Sequence, residues 1–458
     1  MSDPASRDGL SGARMLWAIG TLIIAIAMAS LDSSIANTAL PTIAANLNAS
    51  PASSVWVVNA YQLALVVSLL PFASLGEIFG YRRIYTWGLV VFTLASLACA
   101  LSWSLPTLTM ARIIQGFGAS GVMSVNTALI RFIYPSNRLG RGVGVNALVV
   151  AVSTAVGPTV AAAILSVASW QWLFAVNGPL GVLAFVLALR ALPDTPRANY
   201  TFDAGSAALN AATFGLLIFG IGEAAHGAGH LVTALVLGGA LVCGFLLVRR
   251  QLGLPAPMLP VDLYRRPMFA LSSLTSFCSF TAWGLSFVSL PFYFQTVLGM
   301  TAVQTGLLLT PWPVMTGIMA PIAGPLSDRY PPAILGGAGL AVLSVGLALI
   351  AGLPAHPGTT GIVWRMMICG AGFGFFQSPN LRAIMSSAPP ERSGGASGIV
   401  ATSRLVGQAT GAALVAFCFG LSMEYGPSLA LGLAAVFAGA GSLVSFSRLA
   451  ARPFRRGA

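Results

Sequence analysis

Charge is scarce in this chain of 458 residues: only 7% of them are charged, against about 25% in a soluble domain. Hydrophobic residues make up 56%, and the mean hydropathy is +0.85. This composition excludes a soluble enzyme, a disordered chain and a secreted disulfide scaffold. Lysine is absent, so all 23 basic residues are arginine, against 11 acidic residues. A net charge of +12 would suggest nucleic-acid binding in a soluble protein, but here the first question is on which side of a membrane the arginines lie.

Several chemical motifs are missing as well. The five cysteines lie apart from one another in apolar stretches, so we expect small buried side chains and no metal or redox site. They are Cys99, Cys243, Cys278, Cys369 and Cys418. No phosphate-binding glycine motif, nucleophile triad or histidine-rich cluster occurs, which excludes ATP as the energy source. We therefore expect neither an enzyme nor a cofactor, and no nucleic acid as a partner.

Long apolar runs recur along the whole chain. A helix needs about 20 apolar residues to cross about 30 Å of hydrocarbon, and the run after Arg14 is too long for a signal-peptide core, so it is predicted to be an uncleaved span. We predict spans at 15–40, 54–75, 84–103, 105–130, 143–167, 171–192, 205–224, 229–248, 268–293, 302–325, 332–353, 361–384, 395–421 and 427–447. The fold class is therefore an all-α integral membrane protein with 14 transmembrane helices.

The arginines support this count. With a cytoplasmic N-terminus, 20 of the 23 arginines fall in cytoplasmic segments and none in external loops. This asymmetry places both termini in the cytoplasm. The remaining three lie within spans and are Arg112, Arg365 and Arg404.

Two pairs of segments resemble each other at nearly the same offset. Residues 73–83 and 324–331 both place a leucine, a small residue and an acid before a turn, 251 residues apart. The second pair consists of Arg112, Gly116, Gly118 and Asn126, echoed by Arg365, Gly370, Gly372 and Asn380. Such repeats are typical of transporter halves. The predicted organisation is a cytoplasmic tail (1–14), a six-helix half (15–192), an inserted helix pair (193–248), a cytoplasmic linker (249–267), a second six-helix half (268–447) and a basic cytoplasmic tail (448–458).

These residues resemble motifs of the major facilitator superfamily. Segment 73–83 is similar to its loop motif Gly-x-Leu-Ala-Asp-Arg-x-Gly-Arg-Arg, with Glu77 where aspartate is usual and Ile78 in place of an arginine. Residues 31–41 resemble the first-span motif of the 14-span drug/proton antiporter branch, the QacA/EmrB-type exporters. Residues 112–118 resemble the fourth-span motif, and residues 153–162 the fifth-span antiporter motif, with Gly157 and Pro158 intact.

The resemblance implies a major facilitator fold of two six-helix pseudo-repeats plus two inserted helices. It implies a multi-pass protein of the bacterial cytoplasmic (inner) membrane that exports lipophilic compounds in exchange for protons, with a proton gradient and no cofactor. An EmrB-type exporter could also dock a periplasmic adaptor and an outer-membrane channel, and no residue pattern in this chain decides that point.

Asp32 is the one acid placed well inside a predicted span. Burial favours the protonated form of a carboxyl group, which is what proton coupling needs. Depth arithmetic at 1.5 Å per residue puts Asp32 and Arg112 at about the same level of the bilayer, so we predict that they interact. The family resemblance also gives Arg112 a coupling role. A purely structural polar contact is the alternative for both residues.

Other residues are assigned to conformational change. Pro158 removes a helix hydrogen bond in mid-span, and the resemblance makes Gly157 and Pro158 part of a gate, although ordinary helix packing would use the same contact. Acids beside arginines at the cytoplasmic helix ends predict a latch, with solvated loop charges as the alternative. The latch candidates are Glu77, Gly80, Arg82, Arg83, Asp328 and Arg329.

Polar and aromatic residues within the spans are the candidates for substrate contacts, although each could be a packing residue or an interfacial anchor. They are Asn59, Tyr61, Gln62, Gln115, Trp283, Trp312, Gln377 and Asn380. Three arginines against one acid within the spans favour neutral or weakly acidic compounds, whereas family precedent favours lipophilic drugs, often cations. A proton-coupled exporter or symporter of one specific metabolite is the alternative function.

Overall fold

All regular structure in the described residues of the computed structural model is helical. These residues are 9–135, 138–199, 201–225, 230–254, 259, 261–354, 357–388, 393–422 and 424–450. In chain order the helices are α1 (Gly12–Asn46), α2 (Pro51–Ser54), α3 (Trp56–Phe79), α4 (Tyr81–Ala100), α5 (Leu105–Ile133), α6 (Leu139–Val167), α7 (Trp172–Ala175), α8 (Asn177–Ala191), α9 (Ala204–Ala225), α10 (His230–Leu252), α11 (Pro267–Phe292), α12 (Ala302–Leu309), α13 (Pro311–Arg329), α14 (Pro332–Ala351), α15 (Thr359–Ser387), α16 (Ser393–Leu421) and α17 (Gly426–Ser447). A 3₁₀ turn, Val261–Arg265, precedes α11, and a π-helical turn, Tyr293–Val297, extends it.

Thirteen segments of the described chain are long and apolar enough to cross a membrane. Three of these segments join two helices across a break, α2 to α3, α7 to α8 and α12 to α13. The predicted span at 361–384 coincides with α15, which has 29 residues but a more polar sequence. The structure therefore confirms a multi-span helical membrane protein, while the count of 14 and the side of the termini remain predictions.

Local sequence explains where several helices begin and end. A capping box of Ser104 and Thr107 opens α5, and a second box of Thr301 and Gln304 opens α12, so that end N–H groups are satisfied by side chains. Gly80 has a φ of +97° between α3 and α4. A residue with a side chain would be strained there, so this predicted motif glycine shapes the turn.

The two halves repeat one close helix contact. In the first half, a Cβ at Gly116 of α5 would lie 2.6 Å from the carbonyl oxygen of Tyr61 in α3. In the second half, a Cβ at Gly370 of α15 would overlap the carbonyl oxygen of Trp312 in α13. The absence of a side chain lets each helix pair approach closely. The sequence echo between the halves thus corresponds to the same packing in both.

The inserted pair α9 and α10 lies beside the seam between the halves. Helix α9 packs against α10, against α3 of the first half and against α16 of the second. Asn210 of α9 donates a hydrogen bond to the Val67 carbonyl of α3, at 3.0 Å. Most of α10 is exposed on the outside of the bundle, where an apolar surface suits lipid.

We call the end of the bundle at which α1 begins the inner end, and the opposite end the outer end. The halves are joined in the outer part: the hydroxyls of Thr159 in α6 and Thr310 at the α12–α13 break lie 2.8 Å apart. Gln295 donates to the Thr38 carbonyl of α1, at 3.4 Å. Residues 409–413 of α16 are buried, whereas residues 400–404, nearer the inner end, are half-buried. Helix α16 is therefore less closely covered at 400–404 than at 409–413.

Candidate functional site: a buried carboxylate and guanidinium

The carboxylate of Asp32 is buried in the middle of the first half, with 1% of the residue exposed. Its Oδ2 accepts a hydrogen bond from Nη1 of Arg112, at 2.5 Å. Its Oδ1 accepts from Nε2 of Gln115, at 2.8 Å, and from Nδ2 of Asn177, at 2.9 Å. Three donors from two other helices thus satisfy this carboxylate, as a buried charge requires.

The guanidinium of Arg112 is held as firmly as its partner. Its Nε donates to the Val57 carbonyl of α3, at 3.1 Å, and its Nη1 also donates to Oε1 of Gln115, at 2.6 Å. The Tyr61 ring lies 4.2 Å from the guanidinium carbon, and the Phe174 ring lies 5.6 Å away. The cation therefore lies near two aromatic rings, a favourable contact in a desolvated site.

Gln115 connects the pair to a fifth helix. Its Nε2 donates to Oγ of Ser96 in α4, at 2.7 Å. The network consequently draws on α1, α3, α4, α5 and α8. Removal of one partner from a buried ion pair costs about 3–5 kcal/mol, so the packing of these five helices depends on both charges being present.

The structure places Asp32 and Arg112 in contact, as the depth arithmetic predicted. Sequence reasoning missed Asn177, which supplies the third donor. A signal was available, because Asn177 is an amide within the predicted sixth span at 171–192. Ser96 and the Val57 carbonyl carried no such signal, because hydroxyls and backbone groups occur throughout the spans.

Two residues predicted to contact substrate belong to this network. Gln115 is bonded to Asp32, Arg112 and Ser96, and Tyr61 is buried beneath the guanidinium. Their contacts assign them to holding the ion pair. Asn59 is fully buried on α3, and neither of its amide atoms has a hydrogen-bond partner. Gln62, three residues further along α3, is also buried, with 4% of the residue exposed.

The two predicted tryptophans come together in the second half. The half-buried Trp283 ring stacks on Phe287 of α11, with centroids 4.1 Å apart. Phe287 in turn meets the edge of Trp312 in α13, at 5.9 Å. Trp312 is buried, and its Nε1 has no acceptor. These side chains form an aromatic surface. In the first half, Tyr61 of α3 occupies the position equivalent to that of Trp312 in α13.

Asn380 lies elsewhere, in a polar cluster in the second half. Its Oδ1 accepts from Nη1 of Arg448, at 2.8 Å, and its Nδ2 donates to Oγ of Ser276. Arg448 also donates to Oγ of Ser272, at 3.0 Å, and has 1% exposed. Arg448, the first residue of the predicted basic cytoplasmic tail, is buried where α17 ends and connects α11, α15 and α17. Gln377 is half-buried on α15.

The predicted gate residues link α1 to the second half. A Cβ at Gly157 would lie 2.5 Å from the Cβ of Ser34, two residues after Asp32, and Oγ of Ser34 donates to the Thr154 carbonyl of α6. On its other side, the Pro158 carbonyl meets Gly306 of α12 without room for a Cβ. Helix α6 is thus wedged between the Asp32 helix and the opposite half.

The predicted latch residues lie at the inner helix ends, but their partners differ from the prediction. Asp328 pairs with Arg382 of α15 and not with the adjacent Arg329, which is exposed. Arg82 pairs with Asp194, at 3.0 Å, and also donates to the Leu189 carbonyl. Adjacent residues on one helix face different directions, so an acid pairs with a residue of a neighbouring helix more readily than with the next residue.

Two further residues of the predicted latch are exposed. Glu77 lies on the last turn of α3, and its carbonyl accepts the Ala198 amide, at 2.8 Å. Arg83 lies on the first turn of α4. The segment after α8 therefore covers the α3–α4 turn. A role of these residues in gating remains a prediction.

Arg365 is not the counterpart of Arg112. The repeated glycines and asparagine of the two halves differ by 254 residues, whereas the two arginines differ by 253. Met366, which is buried, occupies the equivalent position. Arg365 lies one residue around the helix, where its Nη1 donates to the Gly361 carbonyl, at 2.6 Å, over the Trp364 ring. Arg404 is half-buried on α16.

The sequence profile described as Major Facilitator Superfamily matches residues 22–412. The Escherichia coli (strain K12) protein described as "Uncharacterized transporter YebQ" is 56% identical over 444 residues, covering 96% of this chain and 97% of that protein. "Riboflavin transporter RibZ" of Clostridioides difficile (strain 630) is 31% identical over 89% of each chain. The "Tetracenomycin C resistance and export protein" of Streptomyces glaucescens is 31% identical over 86% of this chain and 73% of its own.

A solved structure shares the fold. The bacterial homolog of the human lysosomal transporter Spinster, in an inward-facing and occupied conformation, has a TM-score of 0.71 at 13% identity, covering 97% of this chain and 98% of that one. With a fold shared along the whole length, transporter relatives and a matching family profile, this is a transport protein and not an enzyme. The chain belongs to the major facilitator superfamily.

Proposed function

We propose that this protein is a proton-coupled secondary transporter that exports hydrophobic or amphipathic toxic compounds by alternating access. Asp32 is the protonation site, and Arg112 responds to its charge. The observation that carries the proposal is the buried carboxylate with its guanidinium and two amide donors, because intramembrane ionisable residues in transporters mark proton or substrate pathways.

The surroundings of the pair support a mechanical link. Ser34 lies on α1 close to Asp32 and contacts Gly157 of α6, while Pro158 contacts Gly306 of the other half. A shift of α1 on protonation would therefore reach the contact that holds the halves together. The halves meet at the outer end. Release of that contact would open the interior at the outer end, as alternating access requires.

Export of toxic compounds is the finer part of the proposal. It is supported by the resistance and export protein among the relatives and by the resemblance of residues 31–41 and 153–162 to antiporter motifs. The location in a bacterial inner membrane and the 14-span topology with cytoplasmic termini belong to the same proposal. Transport of one specific metabolite is the second candidate, favoured by the riboflavin transporter that shares 31% identity over 89% of the chain.

The test is transport in proteoliposomes with an imposed pH gradient, comparing wild type with Asp32→Asn. The probes are ethidium as a cation, chloramphenicol as a neutral compound and nalidixate as a weak acid. We expect gradient-driven movement of the neutral or acidic probe by the wild type and its loss in Asp32→Asn, with substrate exchange in the absence of a gradient retained. Full gradient-driven transport by Asp32→Asn would contradict the assignment of Asp32.

A second measurement separates the two candidates. An exporter of toxic compounds lowers cellular accumulation of several unrelated probes, and collapse of the proton gradient raises it. A metabolite transporter changes accumulation of one compound class only. Strong protection of cells against ethidium would contradict the charge preference that the arginines favour.

A further inference from the structure

Arg404 is a cation within a predicted span, and it has no counter-charge among the residues that the structure describes. Within the described ranges it makes no hydrogen bond, ion pair or ring contact, and its Nε is buried without an acceptor. The other two arginines within the spans each have a hydrogen-bond partner, although the Nε of Arg365 also lacks an acceptor. Arg112 is paired with Asp32, and Arg365 is bonded to the Gly361 carbonyl of its own helix.

Arg404 lies on the side of α16 that faces α11. It shares one stripe of the helix with Gly411, which follows at helical spacing. A Cβ at Gly411 would lie 2.7 Å from the Leu285 amide of α11. Arg404 therefore lies on the α11 side of α16, about 16 Å from the start of α16 at 1.5 Å per residue.

The position of Arg404 along α16 leaves it accessible. Residues 400–404 are half-buried, whereas residues 409–413 are buried, so Arg404 lies in a less closely covered stretch of α16. An unpaired charge at this depth costs several kcal/mol, and the acid within the first half is already satisfied by Arg112 and two amides. A ligand can supply the missing negative charge.

We infer that Arg404 binds the ionised acidic group of the transported compound, a carboxylate, sulfonate or phosphate. The planar guanidinium suits these groups because two parallel N–H donors match two oxygens. This inference rests on the proposed transport function and names the substrate class: an apolar or aromatic compound with one anionic group.

An aromatic surface lies further along α11, the helix that Arg404 faces. Gly407, three residues after Arg404, packs on Phe280 of α11, to whose Cβ a Cβ at Gly407 would lie 3.0 Å. One to two turns further along α11 are Trp283 and Phe287, stacked at 4.1 Å. The rings give an apolar wall and Arg404 gives one fixed charge, the combination by which a pocket orients an amphipathic ligand.

The test compares naphthalene acetate with naphthalene acetamide, which share the ring system and differ in charge. Binding is measured from the ligand-induced rise in the melting temperature of the purified full-length protein in detergent, without a proton gradient. We expect the wild type to bind the carboxylate about tenfold or more tightly than the amide. Arg404→Gln should lose this preference and keep its affinity for the amide.

Arg365→Gln is the matched control, since it also removes an arginine from a span and should leave both affinities unchanged. Equal binding of the two probes by the wild type, or an unchanged preference in Arg404→Gln, overturns the inference. An equal fall in the affinity for both probes in Arg404→Gln also overturns the inference, because loss of a structural role would weaken the binding of both. Should Arg404→Gln not fold, Arg404→Met preserves the length of the side chain, and the wild-type comparison still decides.

The outcome of this binding test can be separated from the outcome of the transport test of proton coupling. Asp32→Asn should retain the preference for the carboxylate, because this measurement involves no gradient. A wild type that prefers the carboxylate but shows no gradient-driven transport would contradict proton coupling and leave the assignment of Arg404 standing.

Discussion

At the scale of the residue, the ion pair of Asp32 and Arg112 combines stability with function. Both side chains have 1% of the residue exposed, so each depends on the other for compensation of its charge. In such pairs, loss of one charge is more damaging than loss of both, because an unpaired buried charge remains.

This reasoning predicts an order of stability among the wild type and two variants. Arg112→Ala should lower the free energy of unfolding by about 3–5 kcal/mol. The double variant Asp32→Asn with Arg112→Gln should be more stable than Arg112→Ala, since no charge is left unpaired. Thermal unfolding in detergent measures both, and a double variant less stable than Arg112→Ala would contradict the coupling.

Two buried amides provide a second comparison. Asn177 donates to Asp32, at 2.9 Å, whereas both amide atoms of Asn59 lack a partner. Asn177→Leu should destabilise the protein by about 1–3 kcal/mol, because the carboxylate loses a donor.

Asn59→Leu should leave stability unchanged or raise it, because it removes an unsatisfied buried polar group. The melting temperatures of the two variants measure the difference. If Asn59 contacts substrate as predicted, Asn59→Leu also lowers transport. A destabilisation by Asn59→Leu equal to that of Asn177→Leu would show that Asn59 has a structural partner.

At the scale of the element, α6 depends on a residue without a side chain. A Cβ at Gly157 would collide with Ser34, whereas a Cβ at Gly144 of the same helix meets nothing within 4 Å. Gly157→Ala should therefore cost about 1–3 kcal/mol through overpacking.

Gly144→Ala, the matched control, should be neutral or stabilising by up to about 1 kcal/mol, because alanine favours the helix. Ser34→Gly should rescue Gly157→Ala by removing the side chain it strikes. Thermal stability and gradient-driven transport both measure the effect. If Gly157→Ala kept the stability and the transport of the wild type, α6 and α1 could separate without loss of either.

An ion pair connects the two inserted helices, α9 and α10, at their inner end. Asp203 caps α9 by accepting from the Ser206 amide, at 3.1 Å, and pairs with Arg250 of α10, at 2.8 Å. The hydrogen bond from Arg250 holds the pKa of Asp203 below its ordinary value. A lowered pKa in the folded state means stabilisation that is present above the ordinary carboxyl pKa and lost as the pH falls through the folded value.

Asp203→Asn should therefore lower the melting temperature at neutral pH, and the difference from wild type should narrow below about pH 4, the ordinary pKa of aspartate. Asparagine caps helices as well as aspartate, so this variant isolates the charge. Asp203→Ala, which also removes the cap, should be less stable than Asp203→Asn at every pH. A difference that does not vary with pH would show that Arg250 contributes nothing.

At the scale of the whole molecule, the halves are held together in their outer part. Gly306 of α12 meets the Pro158 carbonyl, and a Cβ at Gly306 would lie 2.7 Å from the Cβ of Ala162. A side chain there would force the halves apart and favour the state that is open at the outer end. Gly317 of α13, where a Cβ meets nothing within 4 Å, is the matched control.

Gly306→Ala should raise the labelling rate of a cysteine placed at Thr159, in a background without native cysteines, by a maleimide that does not cross membranes. Overpacking costs about 1–3 kcal/mol, and 1.4 kcal/mol is a factor of ten, so we expect at least a fivefold increase. Gly317→Ala should leave the rate unchanged. An equal rate in both variants would contradict the role of this contact in holding the outer end closed.

The sequence by itself determined the class of the protein. The scarcity of charge indicates a membrane protein, and apolar runs of about 20 residues are of the length that spanning helices need. The echo between residues 73–83 and 324–331 revealed the two halves, because each half repeats the same packing. Asp32 and Arg112 could be predicted as partners from the depth of each residue along its own helix.

Only the tertiary structure shows which partners each side chain meets, because these depend on the rotation of every helix about its axis. A shift of one residue turns a side chain by about 100°, which separates Arg365 from the position of Arg112 and buries Arg448 among three helices. The donors Asn177 and Ser96, and the pairing of Asp328 with Arg382, depend on which helices are neighbours. Composition gives the environment of a charged residue, but the packing of the helices determines its partner.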